Sequence, residues 1–478
     1  MNEIFINNFM ALCAIPHPSG HEEAISRYIY ERALEKGLTA RRDSAGNVVI
    51  DRSAAPGFEN APLTILQAHM DMVAVGRPGS DYDPLTSPIT VVREGKSLRA
   101  LDSSLGADDG AGVALIQQLL EDENLRCGPL RGILTVDEES GMSGAASLDP
   151  AELNAKYLIN LDWETAGSLC CSCAGGELYR FSFSPSRKAP EAGVALELRV
   201  SGFLGGHSGT TIHTGRANAI QTIAGIIRSA LDAKLHVELA TIEGGSASNA
   251  IPNSASAILV VPENEMDQFR SLFRSAQVRF LMRFGGKEKN ATFALNNVEM
   301  PGMVLTHSHC MALLRFMTEA VIGVHTMSAM HPELVESSAN LSEVHDRNGV
   351  IYCEIYQRSS EPAVTLRMED GYRTLATECG AKMTHMQGSP ARPEKPGSRL
   401  MEICLNAYRE ITGDEMVVEA VHAGLECGSW AQKAPELDMI SIGPDVMDIH
   451  SPYETLDLNS VELLDRLVRS ILADISRE

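Results

Sequence analysis

Four short apolar runs in this chain each lead to a histidine or an acid. Pro62–Ala68 stops at His69-Met-Asp71, Gly132–Val136 stops at Asp137-Glu138-Glu139, and Tyr157–Leu161 stops at Asp162. The run Leu437–Ile442 reaches His450 through a short loop. Runs of this length with no polar alternation read as strands buried on both faces. Between them, Val113, Leu115, Ile116, Leu119 and Leu120 mark a helix over Gly110–Leu120. Strands alternating with helices predict an α/β layer with a mostly parallel sheet. In such sheets ligands collect beyond the carboxyl ends of the strands, which is where these polar residues fall.

The alternation breaks twice. One break is Pro185-Ser-Arg-Lys-Ala-Pro190, and the other is Gly388-Ser-Pro-Ala-Arg-Pro-Glu-Lys-Pro-Gly397. Between them the text reads as α+β. Strands are predicted at Val194–Val200, Ala255–Val261 and Gly349–Tyr356, with a helix carrying Ile220, Ile223, Ile227 and Leu231. After the second break a helix over Leu400–Ile411 and the Leu437 strand resume the first pattern. The expected organisation is a catalytic domain over 1–186 and 395–478, interrupted by an inserted α+β domain over 187–394. No repeat of 20–50 residues is evident.

The 478 residues carry 40 Lys+Arg against 63 Asp+Glu, a net charge of −23. Such a surface repels phosphate backbones and anionic membranes, so neither nucleic acid nor membrane is an expected partner. No apolar run approaches the ~20 residues of a membrane helix, and no basic leader is read at the start. Ten cysteines are too few for a disulfide scaffold, and reduced thiols in the cytoplasm are expected. Cys170-Cys-Ser-Cys173 lacks a second ligand pair and reads as a buried strand.

His69, Asp108, Glu139, Asp162 and His450 supply two imidazoles and three carboxylates at strand and helix ends. If one carboxylate is shared, two divalent ions each keep one histidine and one acid of their own. This donor set suits zinc and also admits manganese or cobalt. A metal pair lowers the pKa of a water toward neutrality. Glu138, beside a ligand, can take that water's proton. Asp71, two residues along an extended segment from His69, can hold the His69 ring. Taken singly, each motif also reads as a cap or a solvated turn. Their recurrence at one sheet edge favours the metal reading. A carbonyl attacked at such a site also needs a donor for its oxygen, and a substrate carboxylate needs a cationic or amide clamp. Arg358 and Asn249 are candidates for the clamp, and Gly443 for presenting backbone N–H groups.

Together these stretches resemble the co-catalytic zinc peptidases of the aminoacylase and carboxypeptidase G type, and within them the aminoacyl-histidine dipeptidases. The matching text includes Ile15-Pro-His-Pro-Ser-Gly-His-Glu-Glu23, Gln67-Ala-His-Met-Asp-Met-Val73 and Leu105-Gly-Ala-Asp-Asp-Gly-Ala-Gly-Val113. It continues through Asp137-Glu-Glu-Ser-Gly141, Leu161-Asp-Trp-Glu164, Gly205-Gly-His-Ser-Gly209, Gly215-Arg-Ala-Asn-Ala219, Asn249-Ala-Ile-Pro252, His422-Ala-Gly-Leu-Glu-Cys-Gly428 and His450-Ser-Pro452. The resemblance implies His69 and Asp162 on one zinc, Glu139 and His450 on the other, and Asp108 as the bridge. Asp109 is the alternative if that register is shifted by one. It also implies Glu138 as general base, Asp71 as the orienting residue and His207 as the oxyanion donor of a lid domain. A cytoplasmic homodimer formed through the lids and acting on Xaa-His and broader dipeptides is the implied whole. A tripeptidase or N-acyl amino acid hydrolase would share the same ligands. A non-catalytic peptide- or metal-binding protein is the alternative of another class. Leu101-Asp-Ser-Ser104 and Asp81-Tyr-Asp-Pro84 depart from the family text without touching a proposed ligand.

Overall fold

The computed structural model describes residues 3–329 and 332–478. The chain divides into two compact units. One takes the chain up to Cys173 together with Arg392–Val421 and Leu425–Glu478; the other takes Ala174–Ala391 and His422–Gly424. The crossings therefore fall at 173/174 and 391/392, where the proline-bearing breaks had placed them at 186/187 and 394/395. The reason lies in strand Gly175–Phe183, which pairs with Val350–Ser359 and Lys382–Ser389 of the second unit. Pro185 thus follows a strand already committed to that unit. On the return, Arg392 pairs with Cys173 through two backbone hydrogen bonds of 3.0 Å.

The first unit is built on an eight-stranded sheet. Four parallel strands form its centre, in the order Leu130–Thr135, Thr64–His69, Tyr157–Asn160 and Asp438–Ser441. Val48–Arg52 and Thr39–Arg42 extend one side through antiparallel pairings; on the other Ser168–Cys173 joins antiparallel and Val417–Val421 pairs with it in parallel. Side chains alternate between two cores, as strand geometry requires. Leu66, Leu134 and Ile159 enter the larger core with helices Ala107–Glu121, Arg399–Thr412 and Leu458–Ile475. Ile65, Ile133 and Leu158 enter the smaller one with Cys427 and Trp430 of helix Glu426–Lys433. Apolar residues on both faces explain the unbroken runs. All ten cysteines are buried and free, including the three of strand Ser168–Cys173.

The second unit carries a nine-stranded antiparallel sheet with helices. Two copies of one succession, strand–helix–strand–strand–helix–strand, lie side by side in it. The first copy is Val194–Ser201, helix Ala219–Asp232, Glu238–Gly244, Ala255–Val261, helix Met266–Phe284 and Thr292–Asn297. The second is Gly175–Phe183, helix His307–Glu319, Val335–Arg347, Val350–Ser359, helix Pro362–Glu378 and Lys382–Ser389. The first copy is inserted after the opening strand of the second. Across the sheet the strands run fourth, first, third, second, then second, third, first, fourth. The two second strands meet at Gly244 and Val344. Strand Gly323–Met327 adds to Val335–Arg347. Ile220, Ile223, Ile227 and Leu231 all face the core, as their spacing predicts.

Candidate functional site

Three central strands and the loop after the fourth deliver the predicted ligands to one end of the first unit's sheet. His69 closes its strand and is buried. Its Nδ1–H donates to the Asp71 backbone carbonyl at 2.9 Å, which turns Nε2 toward the acids. His69 Nε2 lies 3.1 Å from Asp108 Oδ1 and 3.6 Å from Asp162 Oδ1. His450 Nε2 lies 3.2 Å from Asp108 Oδ2 and 2.8 Å from Glu139 Oε1. Asp108 thus offers one oxygen to each imidazole. Asp109 accepts from the His69 and Gly112 backbone N–H groups at 3.3 and 3.1 Å, and also groups with donor atoms of His69 and Asp162.

The helix read from Gly110 starts earlier, at Ala107, but Asp108 (φ −86°, ψ 105°) and Asp109 (φ −112°, ψ 33°) are not helical. Their side chains point into the site because the helix has not yet closed its first turn. His450 (φ 57°) and Asp137 (φ 58°) hold left-handed conformations. Aspartate tolerates this region better than most residues, and Ser143 Oγ donates to Asp137 Oδ2 at 2.5 Å. Such strain at two ligand-bearing turns marks a constrained site.

The Asp71 carboxylate does more than face His69, whose Nδ1 is 3.5 Å from Oδ1. It accepts the N–H groups of Glu138 and Glu139 at 3.0 and 3.2 Å and the Ser19 hydroxyl at 2.8 Å. Burial opposes its charge, yet these donors and His69 hold its carboxyl down at about 2. One acid therefore ties the histidine strand to the Glu138–Glu139 turn.

Burial pushes the carboxyls of Glu138, Asp162 and Asp109 well above the ordinary range, and Asp162 and Glu139 add like charge at Glu138. So many acids around two imidazoles are the setting that divalent cations neutralise. Four groupings of these residues, Glu164 included, bring their donor atoms within 4.8 Å of one another. The donor set fits a metal pair.

In the second unit His207, Arg358 and His422 form a cluster. Arg358 is buried, stacks 4.4 Å above the Tyr356 ring, and has no carboxylate partner among the described residues. Its Nη2 is 3.3 Å from His207 Nε2. The Thr210 N–H faces His207 Nδ1 at 3.2 Å, so donors approach both ring nitrogens. Burial and the Arg358 charge lower His207 to about 4 and His422 to about 3, so both are neutral at pH 7. His422 Nε2 shares a hydrogen at 2.7 Å with Ser338 Oγ. An unfolded histidine gains its proton below about pH 6.5. The stability due to neutral His422 is complete above that pH and is lost as pH falls toward 3. Denaturant titrations between pH 7 and 4 are expected to show a shallower acid loss for His422→Gln, by at most about 1.4 kcal/mol per pH unit. Equal slopes for the two proteins would contradict the assignment.

A family model for peptidase family M20/M25/M40 matches residues 65–474. The chain belongs to this family. Cytosol non-specific dipeptidase of Escherichia coli is 34% identical over 471 residues, which are 98% of this chain and 96% of that protein. The aminoacylhistidine dipeptidase structure from Vibrio alginolyticus superposes with a TM-score of 0.92 at 32% identity, covering 98% of this chain and 96% of the other. A tripeptidase structure from Staphylococcus aureus shares the fold, with a TM-score of 0.56 at 16% identity over 100% and 99% of the two chains. No helix among the described residues is long and apolar enough to cross a membrane.

For this M20 chain, two candidate calls find less beneath them. Asn249 is exposed, and it is its backbone carbonyl that accepts from Ser208 N–H at 2.7 Å. Gly443 has a packing reason to be glycine, since a Cβ there would lie 1.8 Å from the Trp163 carbonyl oxygen. Other residues emerge only from the fold. Glu164 reaches the Asp108–Asp162 group, and burial with the Asp108 charge raises it to about 7. Glu426 is buried behind the His69 strand, accepting from Gln67 and Thr135 at 2.6 and 2.7 Å. Burial raises it to about 7 as well. Neither has a spacing signal, although both lie in the stretches that carry the family resemblance.

Proposed function

We propose that this chain is a metal-dependent dipeptidase that cleaves Xaa-His and a broader set of dipeptides. The observation that carries the reading is the Asp108 carboxylate, whose two oxygens each face a different imidazole, beside Glu138. His69 and Asp162 would hold one divalent ion, Glu139 and His450 the other, with Asp108 shared. Zinc is the first choice, with manganese or cobalt as substitutes. When bound, such a pair polarises the scissile carbonyl and makes water nucleophilic at neutral pH.

The chain's own groups do the rest. Glu138 takes the proton of the attacking water and passes it to the leaving amine. Asp71 fixes the turn that carries Glu138. His207 is the candidate donor for the oxyanion. Arg358, a buried cation without a counter-ion among the described residues, is the partner for the dipeptide carboxylate, with Asn249 and the Gly443 backbone as further candidates for substrate contact. Glu164 is the carboxylate available to the dipeptide's ammonium. The names of the Escherichia coli and Vibrio relatives support a dipeptide substrate, and the former supports a cytosolic location. Homodimerisation is part of the reading and is checked by sedimentation.

The deciding experiment is a substrate panel on metal-stripped protein with zinc, manganese or cobalt restored. Xaa-His, Ala-Ala and β-alanyl dipeptides, one tripeptide and one N-acetyl amino acid are compared. Metal-restored turnover confined to dipeptides is expected. Cleavage of only the tripeptide or the acyl amino acid reassigns the substrate, and no turnover with metals bound points to a binding protein. Within this panel, Arg358→Met is expected to raise KM for free dipeptides about 10- to 100-fold, the worth of a charged hydrogen bond. Dipeptide amides, lacking the carboxylate, should feel it little. An unchanged KM for free dipeptides would remove Arg358 from the clamp.

A further inference from the structure

Glu454 lies four residues beyond His450 and is 3% exposed, yet no cation pairs with it among the described residues. Its charge is held by peptide N–H groups alone. Oε2 accepts from Leu105 and Gly106 at 2.8 and 2.9 Å, and Oε1 from Ala107 and Asp108 at 2.7 and 3.2 Å. Four successive amides converge on one carboxylate because Gly106 adopts φ +68°, which curls the backbone into a concave anion nest. A side chain is excluded there twice over, by that φ and by Met72 Sδ, 2.8 Å from where a Cβ would sit.

We infer that Glu454 is the positioning residue of the metal centre, clamping the bridge loop that carries Asp108 to the loop that carries His450. The inference rests on the ligand assignment proposed above. Two features separate it from an ordinary cap. First, one side chain joins the two loops whose residues must face each other, across 346 positions of sequence. Second, a neutral serine or asparagine suffices to cap a helix, whereas burying a whole negative charge is costly. Without Glu454, the amides of 105–108 lose their acceptor and Asp108 loses the backbone that aims it.

The test is a cobalt(II) titration of metal-free protein, followed by visible absorption, for wild type and Glu454→Gln. The amide keeps the size, removes the charge and turns one acceptor into a donor. Glu454→Gln is expected to bind cobalt about 10- to 100-fold more weakly, as for other groups that orient ligands. Its absorption band should also shift. Ile471→Val, a core change in the same unit, controls for stability loss alone and should leave the titration unchanged. If Glu454→Gln does not fold, Glu454→Asp takes its place, since it shortens the reach of the clamp, and a weaker titration with a shifted band is again expected. Wild-type cobalt affinity and band position in the folded variant overturn the inference. A wild-type protein that binds no cobalt overturns the ligand assignment instead.

Discussion

Glu138→Ala protein is expected to fold, to keep two metals per chain and to lose turnover by roughly 10²- to 10⁴-fold, the usual worth of a positioned acid–base group. The expectation follows from how the side chain is placed. The Glu138 backbone is fixed by Asp71 Oδ1, so removal of its side chain beyond Cβ leaves the turn and the neighbouring Glu139 where they are. The carboxyl itself is buried beside His69 and the acids of the site, so it meets the reactants in a medium that makes proton transfer to and from it matter. Burial and like charge raise it well above an ordinary carboxylate. A higher pKa makes its carboxylate a stronger base toward the attacking water. Metal content by elemental analysis, alongside kcat, separates the roles. Near-native turnover in Glu138→Ala would remove it as the base. Loss of metal together with turnover would make it a ligand.

Chelation is expected to have the second large effect. Stripping the metals should reduce turnover to below about one-thousandth, since the Lewis-acid contribution is several kcal/mol, and zinc, manganese or cobalt should restore it. Stability should move in the same direction. Without cations, Asp108, Asp109, Glu138, Glu139 and Asp162 crowd the buried His69 and the more exposed His450. Metal at about 1,000 times its Kd adds about 4 kcal/mol to the folded state by mass action. The stripped protein should therefore unfold at lower temperature and recover when metal returns. Full turnover after verified removal would end the metal-dependent reading.

The residues that meet at one end of the first unit's sheet were legible because the chemistry sits where strands end. An apolar run followed by His69-Met-Asp71 or by Asp137-Glu138-Glu139 states both the strand and what it delivers. The parallel centre of the sheet followed from the same runs. What stayed hidden depends on the path of the chain in space. Glu454 has no periodic or spacing signal, and its partners lie some 350 positions away. His422 joins Ser338 and the Arg358 cluster because three residues of the returning chain associate with the second unit, an excursion too short to alter composition. The unit boundary was displaced because proline marks where a strand stops, and the strand Gly175–Phe183 already belonged to the second unit. Asp71 was assigned to His69 from its spacing, but its bonds to the Glu138–Glu139 turn needed coordinates.

The mirrored strand order of the second unit has a consequence for assembly. Each half presents its second strand at one border, and in a chain with a single half that border would be an open row of peptide groups. Here the two borders meet at one paired position, Gly244 with Val344, and strand Gly323–Met327 pairs along Val335–Ala339 beside it. The edges left over among the described strands include Thr292–Asn297, Lys382–Ser389 and Gly323–Met327. A second copy that extends this sheet would approach at such an edge. The halves share no evident sequence period, so each is free to change without its counterpart. Only the first has, ahead of its opening helix, the loop that carries His207.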